Sequence, residues 1–115
     1  MFDMVMQNLI DTLKTICGDV YQQGALPGTY PQRFFTFWNR SSDDHKHYDG
    51  QAYGFAWVVD VNFYSCDISD VYASLDAARE ALLAAGWVVS GKGHTVASDT
   101  DTHMGRGLEV TFLEI

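Results

Sequence analysis

The densest group of residues able to do chemistry is Asp43-Asp44-His45-Lys46-His47, closed by Asp49. Imidazoles at i and i+2 on an extended segment point to the same side, so His45 and His47 could chelate a divalent ion. A catalytic zinc wants a third fixed protein ligand and a dry pocket. His94 and His103 can supply it only if the fold brings them close, and the sequence favours the plainer reading of a hydrated loop tip. Asp99, Asp101 and His103 alternate as calcium ligands do, but the glycine and distal glutamate of an EF-hand loop are missing. Gly91-Lys92-Gly93 lacks the leading glycine and the following Ser/Thr of a phosphate loop and reads as a tight turn. There is no Gly-x-Ser-x-Gly elbow, and neither Cys17 nor Cys66 has a histidine close in sequence. Asp60 and Asn62 interrupt an apolar strand. One reading is a buried carboxylate with a shifted pKa; an exposed or interface position is favoured. No active site is composed, so no catalytic residue, cofactor or metal is expected.

Composition narrows the remaining classes. The chain has 115 residues, 47% hydrophobic and 14% aromatic, the size of one domain with its own core. Apolar surface on that scale excludes wholesale disorder. Fifteen acidic residues against seven basic ones leave a formal charge of -8, which repels nucleic-acid phosphates. The bases Lys14, Arg33, Arg40, Lys46, Arg79, Lys92 and Arg106 are scattered, so no specific nucleic-acid binding is expected. No apolar run approaches the ~20 residues of a membrane span, so no membrane partner is expected either. The opening stretch carries Asp3 before any base, unlike a secretory signal. Two cysteines make neither a disulfide framework nor a structural zinc site. Both sit beside apolar stretches and read as reduced and packed, in a cytosolic protein.

A regular succession of elements must position these groups. Phe2, Val5, Met6, Leu9, Ile10, Leu13, Ile16 and Cys17 recur at spacings of three and four, which predicts an amphipathic helix capped by Gly18. Residues 19–21 read as a short strand and 22–31 as a loop. The run 33–40 is apolar on both faces, as in a sheet covered on both sides. Polar residues 41–50 read as a solvated loop. From there Tyr53, Phe55, Trp57, Val59, Val61 and Phe63 alternate with smaller or polar residues and face a core. Asp67 can cap a second helix, with Asp70 near its positive end. Val71, Leu75, Ala78 and Leu82 form its buried stripe, and Gly86 ends it. Strands follow on either side of the 91–93 turn, then a polar loop over 98–106 and a last strand over 108–115. The order α-β-β-β-α-β-β predicts a single α+β domain over 1–115, an antiparallel or mixed sheet of four to five strands packed on one face by two helices. Phe34, Thr36, Trp38, Ala56 and Val58 on the other face then want another partner, which points to self-association.

Read in order, the second half carries a resemblance. WVVDVNFYS at 57–65 is followed by a helix with Ala-Arg-Glu-Ala-Leu-Leu-Ala-Ala-Gly-Trp, then Val-Val-Ser-Gly-Lys-Gly-His, then His103-Met104-Gly105-Arg106-Gly107 entering the last strand. Over residues 33–113 this pattern is similar to the small tail-terminator (tail-completion, head–tail joining) proteins of Gram-positive siphophages and prophages. The resemblance implies a non-enzymatic subunit that forms a ring, typically hexameric, on the end of the tail tube, stops its growth and meets the head connector. Its partners are then further copies of itself, the tail-tube protein and the head-connector protein. Its place is the virion tail, after assembly in the bacterial host cytoplasm. A charge of -8 suits a ring that passes DNA without gripping it. The two polar loops are the natural contacts with neighbours. One carries Asp43, Asp44, His45 and His47; the other carries Asp99, Asp101, His103, Gly105, Arg106 and Gly107. Arg106 between two glycines fits a bidentate reach to a partner's carboxylate. Two further classes stay open. One is an acidic protein-binding module of antitoxin, immunity or inhibitor type, acting through Asp43, Asp44, Asp49, Asp67, Asp70 and Asp76. The other is a small metal-dependent enzyme using His45, His47 and a distal ligand.

Overall fold

The computed structural model describes residues 4–23, 25, 28–48 and 51–114, with the backbone alone for 41–48, 51–55 and 114. Helix α1 (Met4–Lys14) buries Val5, Met6, Leu9 and Leu13, the stripe its spacing sets up; Phe2 lies outside the described residues. The helix closes through Thr15 N–H to Thr12 O and Ile16 N–H to Leu13 O, at 3.2 and 3.0 Å. Gly18 does not enter the left-handed region, so the expected glycine cap is replaced by these tighter turns.

Strand β1 (Val20–Gln22) runs parallel to β2 (Arg33–Tyr48), which pairs antiparallel with β3 (Gln51–Ser65). Helix α2 (Ile68–Ala84) follows, then β4 (Val88–Val96) and β5 (Met104–Glu114). Strand β5 inserts between β3 and β4, antiparallel to both, giving a mixed five-stranded sheet in the order β1-β2-β3-β5-β4. This is the α+β architecture that the element order predicts.

Both ends of α2 form as the sequence implies. Asp67 is extended, and its carboxylate accepts the Ser69 N–H at 2.9 Å, relieving one of the unpaired donors of the first turn. At the other end Gly86 takes φ +98°, so that Trp87 N–H reaches Leu82 O and Gly86 N–H reaches Leu83 O, at 2.9 and 3.2 Å. This is a Schellman closure, and the left-handed residue it needs is a glycine.

One face of the sheet holds the core. Phe35 and Phe37 of β2, Val59, Val61 and Phe63 of β3, and Leu108 and Val110 of β5 meet the apolar stripes of α1 and α2. Strand alternation sets this up, since side chains two apart share a face. Trp87 seals the far corner against Phe112, ring centres 5.1 Å apart.

Two segments depart from expectation. Residues 41–48 do not form a loop; they continue β2, so the hairpin turns only after Tyr48. The backbone pairing of β3 outweighs the polarity of these side chains, because a ladder's hydrogen bonds do not depend on what the side chains are. Past Phe55, which pairs with Glu114, the two strands pair only with each other among the described residues and form a two-stranded arm. Gly91-Lys92-Gly93 is likewise not a turn between strands. It is a bulge inside a continuous β4, with Ser90 opposite Glu109 and His94 opposite Gly107. The bulge seats α2, since Arg79 Nε donates to Gly91 O at 2.9 Å.

Candidate functional site

Neither helix packs on the second face of the sheet, and this is where the unexplained surface lies. Register stacks its residues in rows across β2, β3, β5 and β4. The first row is Phe34, Tyr64, Gly105 and Val96. The second is Thr36, Asn62, Gly107 and His94. The third is Trp38, Asp60, Glu109 and Ser90. Then come Val58, Thr111 and Val88, and last Ala56 and Leu113.

The first rows are covered by the chain itself. Phe34 is buried against Tyr64, Tyr30 and His103, with ring centres 5.2, 5.5 and 5.6 Å away. Thr36 is buried as well. The segment before β2 and the β4–β5 connection fold over this end of the face, so the need for an external partner predicted for Phe34 and Thr36 is met internally. The signal missed in the sequence is Tyr30, an aromatic between two prolines that serves as a lid. The later rows stay open. Trp38, Val88 and Leu113 expose 49%, 56% and 42% of their surfaces, and Ala56 and Val58 are half-buried between them. The charges beside them are satisfied: the Arg40 guanidinium grips both carboxylate oxygens of Asp60, and its Nη1 lies 3.5 Å from Glu109 Oε1. Asp60 is therefore a cross-strand ion-pair partner at the rim of an apolar strip.

Gly105, Arg106 and Gly107 belong to β5 and not to a polar loop. Alternation puts the two glycines on the helix-free face and Arg106 on the other. A Cβ on Gly105 would stand 2.6 Å from the Tyr64 ring, and one on Gly107 would overlap the Asn62 amide oxygen. The glycines therefore make room for cross-strand neighbours. Arg106 lies over the Tyr72 ring of α2, 4.6 Å from its centre, a cation–π contact within the chain. The free bidentate reach predicted for it is already partly occupied.

The histidines do not converge. His103 is buried, and its Nε2 lies 2.7 Å from Pro31 O. A carbonyl only accepts, so Nε2 carries the proton, while Nδ1 lies 2.9 and 3.0 Å from the Thr100 and Thr102 hydroxyls. This explains the Thr-x-Thr-His run better than calcium does. Asp101 is exposed, and Asp99 accepts from Tyr30 Oη at 3.2 Å. The side chains of Asp43, Asp44, His45 and His47 lie outside the described residues, as does Asp49. The backbone separates them from His103 all the same. His47 pairs with Ala52 and Met104 with Ser65, roughly 40 Å apart along β3 at ~3.3 Å per residue. Among the described residues no three His, Cys, Asp or Glu side chains group as metal ligands.

Cys17 is buried, as expected, but Cys66 is exposed. Its Sγ lies 3.6 Å from His103 Nε2, a proximity invisible in the sequence. Because that nitrogen's proton is donated to Pro31, the ring has no lone pair there to deprotonate the thiol, and the pair is not a nucleophile and its base.

The acidic groups at the start of α2 are engaged too. Asp67 caps the helix, and Asp70 receives Arg33 Nε and Nη2 at 3.0 and 3.2 Å and the Ser74 hydroxyl at 2.7 Å. Burial raises the Asp70 pKa, but hydrogen bonds from Ser74, Ser65 and Arg33 outweigh it and hold the carboxyl below its ordinary value. A depressed carboxylate stabilises the fold above its unfolded pKa of about 3.9, and that contribution is lost as pH falls through the folded value. Asp70→Asn is accordingly expected to lose less melting temperature than the parent between about pH 5 and pH 3. Parallel melting curves of the two proteins check this, and equal losses would show that the carboxylate is not responsible.

The chain matches no protein-family model, and comparison with curated proteins returns no match. No described helix is long and apolar enough to cross a membrane.

Proposed function

We propose that this chain is a non-enzymatic assembly subunit of the phage tail-terminator kind, working by packing against copies of itself and against tail-tube and head-connector proteins. The observation that carries the reading is the open end of the helix-free face, where Trp38, Val88 and Leu113 flank Ala56 and Val58. An apolar strip rimmed by satisfied charges is the usual composition of a protein–protein contact. The sheet adds two ways of building it. Strand β4 is an edge strand, and β1 covers β2 only at Phe35–Phe37, leaving the outer side of β2 beyond them as a second edge. Two different edges on one molecule permit heterologous contacts, which close into rings when the rotation between copies is right. The two-stranded arm points the same way, because an isolated ribbon is marginally stable in water and gains from a neighbour. The charge of -8 is compatible with a DNA-conducting lumen. On this reading the protein resides in the virion tail after assembly in the host cytoplasm.

Light scattering and sedimentation across a concentration series test it. The parent chain is expected to populate a closed species several times the monomer mass, at high concentration or with tail-tube protein present. Trp38→Arg, at a half-exposed site outside the buried core, is expected to weaken that association at least tenfold, about 1.4 kcal/mol. A parent that stays monomeric under both conditions would overturn the proposal.

A further inference from the structure

Where the self-covered end of the helix-free face meets the β4–β5 connection, a cleft of about 140 Å³ remains, lined by Gln23, Tyr30, Thr36, Tyr64, Ser98 and Asp99, with Phe34 at its back. We propose that this cleft binds an organic cation, an alkylammonium the size of a lysine head group. The inference is independent of whether the chain assembles into rings.

Three features of the site select that chemistry. Its size comes first: a cavity of ~150 Å³ admits one benzene ring, so this one takes a single compact group and no extended ligand. Its walls come next. Tyr30, Phe34 and Tyr64 sit within 5.2–5.5 Å of one another in successive pairs, and aromatic faces attract cations through their quadrupole. An apolar ligand would also like such walls, and the third feature discriminates against it. Asp99 brings a carboxylate to the rim, where it accepts from Tyr30 Oη at 3.2 Å. Among the described residues no basic side chain pairs with it: Arg33, Arg40, Arg79 and Arg106 are engaged with Asp70, Asp60, Glu80 and Tyr72 respectively. Both phenols stay neutral beside that charge. Burial, then Asp99, raises the pKa of Tyr30; burial also leads the rise at Tyr64. The site thus offers one negative charge and aromatic walls, with the polar side chains of Gln23, Thr36 and Ser98 beside them. A cation is the ligand that uses all of them. His103 lies behind the aromatic walls, where its Nε2–H is held by Pro31 O, so it puts no donor into the cleft.

Ligand-observed NMR on the intact chain tests the assignment, with n-butylammonium and tetramethylammonium as probes and n-butanol and neopentanol as uncharged controls of like size. Saturable binding in the millimolar range is expected, with upfield ring-current shifts of the probe protons and at least tenfold weaker binding of the alcohols. Asp99→Asn, at an exposed position, is expected to weaken the cations at least tenfold and leave the alcohols unchanged. N-acetyl-lysine methylamide separates the sources: affinity equal to n-butylammonium assigns the site to a lysine of a partner protein, and a tenfold deficit assigns it to free small amines. Absence of saturable shifts, alcohols binding as well as cations, or an Asp99→Asn variant that binds cations as the parent does would each overturn the proposal.

Discussion

Trp87→Ala is expected to lower the unfolding free energy by about 4 kcal/mol, the usual loss when a buried indole is truncated. Trp87 is 2% exposed, packs against Phe112, and donates its Nε1–H to Asn8 Oδ1 at 3.0 Å. One side chain therefore ties α1 to the start of β4 across the core, and removing it opens a cavity and severs that tie together. Against a total stability of roughly 5–15 kcal/mol, the variant should melt about 15 °C lower, taking about 4 °C per kcal/mol for a domain of this size. Denaturant titration of the parent and the variant checks it. Asn8→Leu isolates the polar part: with the indole N–H unpaired, a loss of about 1 kcal/mol is expected. If Trp87→Ala lost no more than Asn8→Leu, the packing role assigned to the indole would be wrong.

The second large effect is a backbone one. Gly93→Ala is expected to cost about 3 kcal/mol, from two sources that act together. Gly93 sits at φ +107°, where an L side chain is strained, and a Cβ there would lie 2.9 Å from the Gly107 carbonyl oxygen and 2.8 Å from Leu75 Cδ2. The leucine methyl can swing aside; the carbonyl belongs to the β4–β5 ladder and cannot. Gly91 provides the control within the same bulge. It has φ +68° and nothing within 4 Å of a modest Cβ, so Gly91→Ala should lose only the conformational part, about 1 kcal/mol. Chemical denaturation of both variants separates strain from collision, and equal losses would exclude the collision.

How much of this was legible beforehand varies with the kind of signal. The stripes of α1 and α2, the Asp67 cap, the Gly86 closure and the core set Trp57 to Phe63 follow from local spacing and from single-residue conformational preferences. The α+β class follows from their order. The polar stretch 41–48 misleads because composition does not report backbone pairing, and a strand can be as polar as a loop. Gly-x-Gly at 91–93 misleads for a related reason: two glycines signal unusual backbone without saying whether the chain reverses or bulges. At the site, Asp60 was readable as an outward position in its strand, while its grip by Arg40 was not.

Local patterning alone decided which faces are greasy, where helices begin and end, and that the chain repels phosphate, because those properties reside in nearest neighbours and summed charge. Only the tertiary structure decided that Phe34 is sheltered while Trp38 is not, that Arg106 lies on Tyr72, that His103 serves Pro31, and that Asp99 rims an aromatic cleft. Each of those depends on strand register or on segments far apart in the chain, and a shift of one residue would turn Phe34, Trp38 and Arg106 to the opposite face.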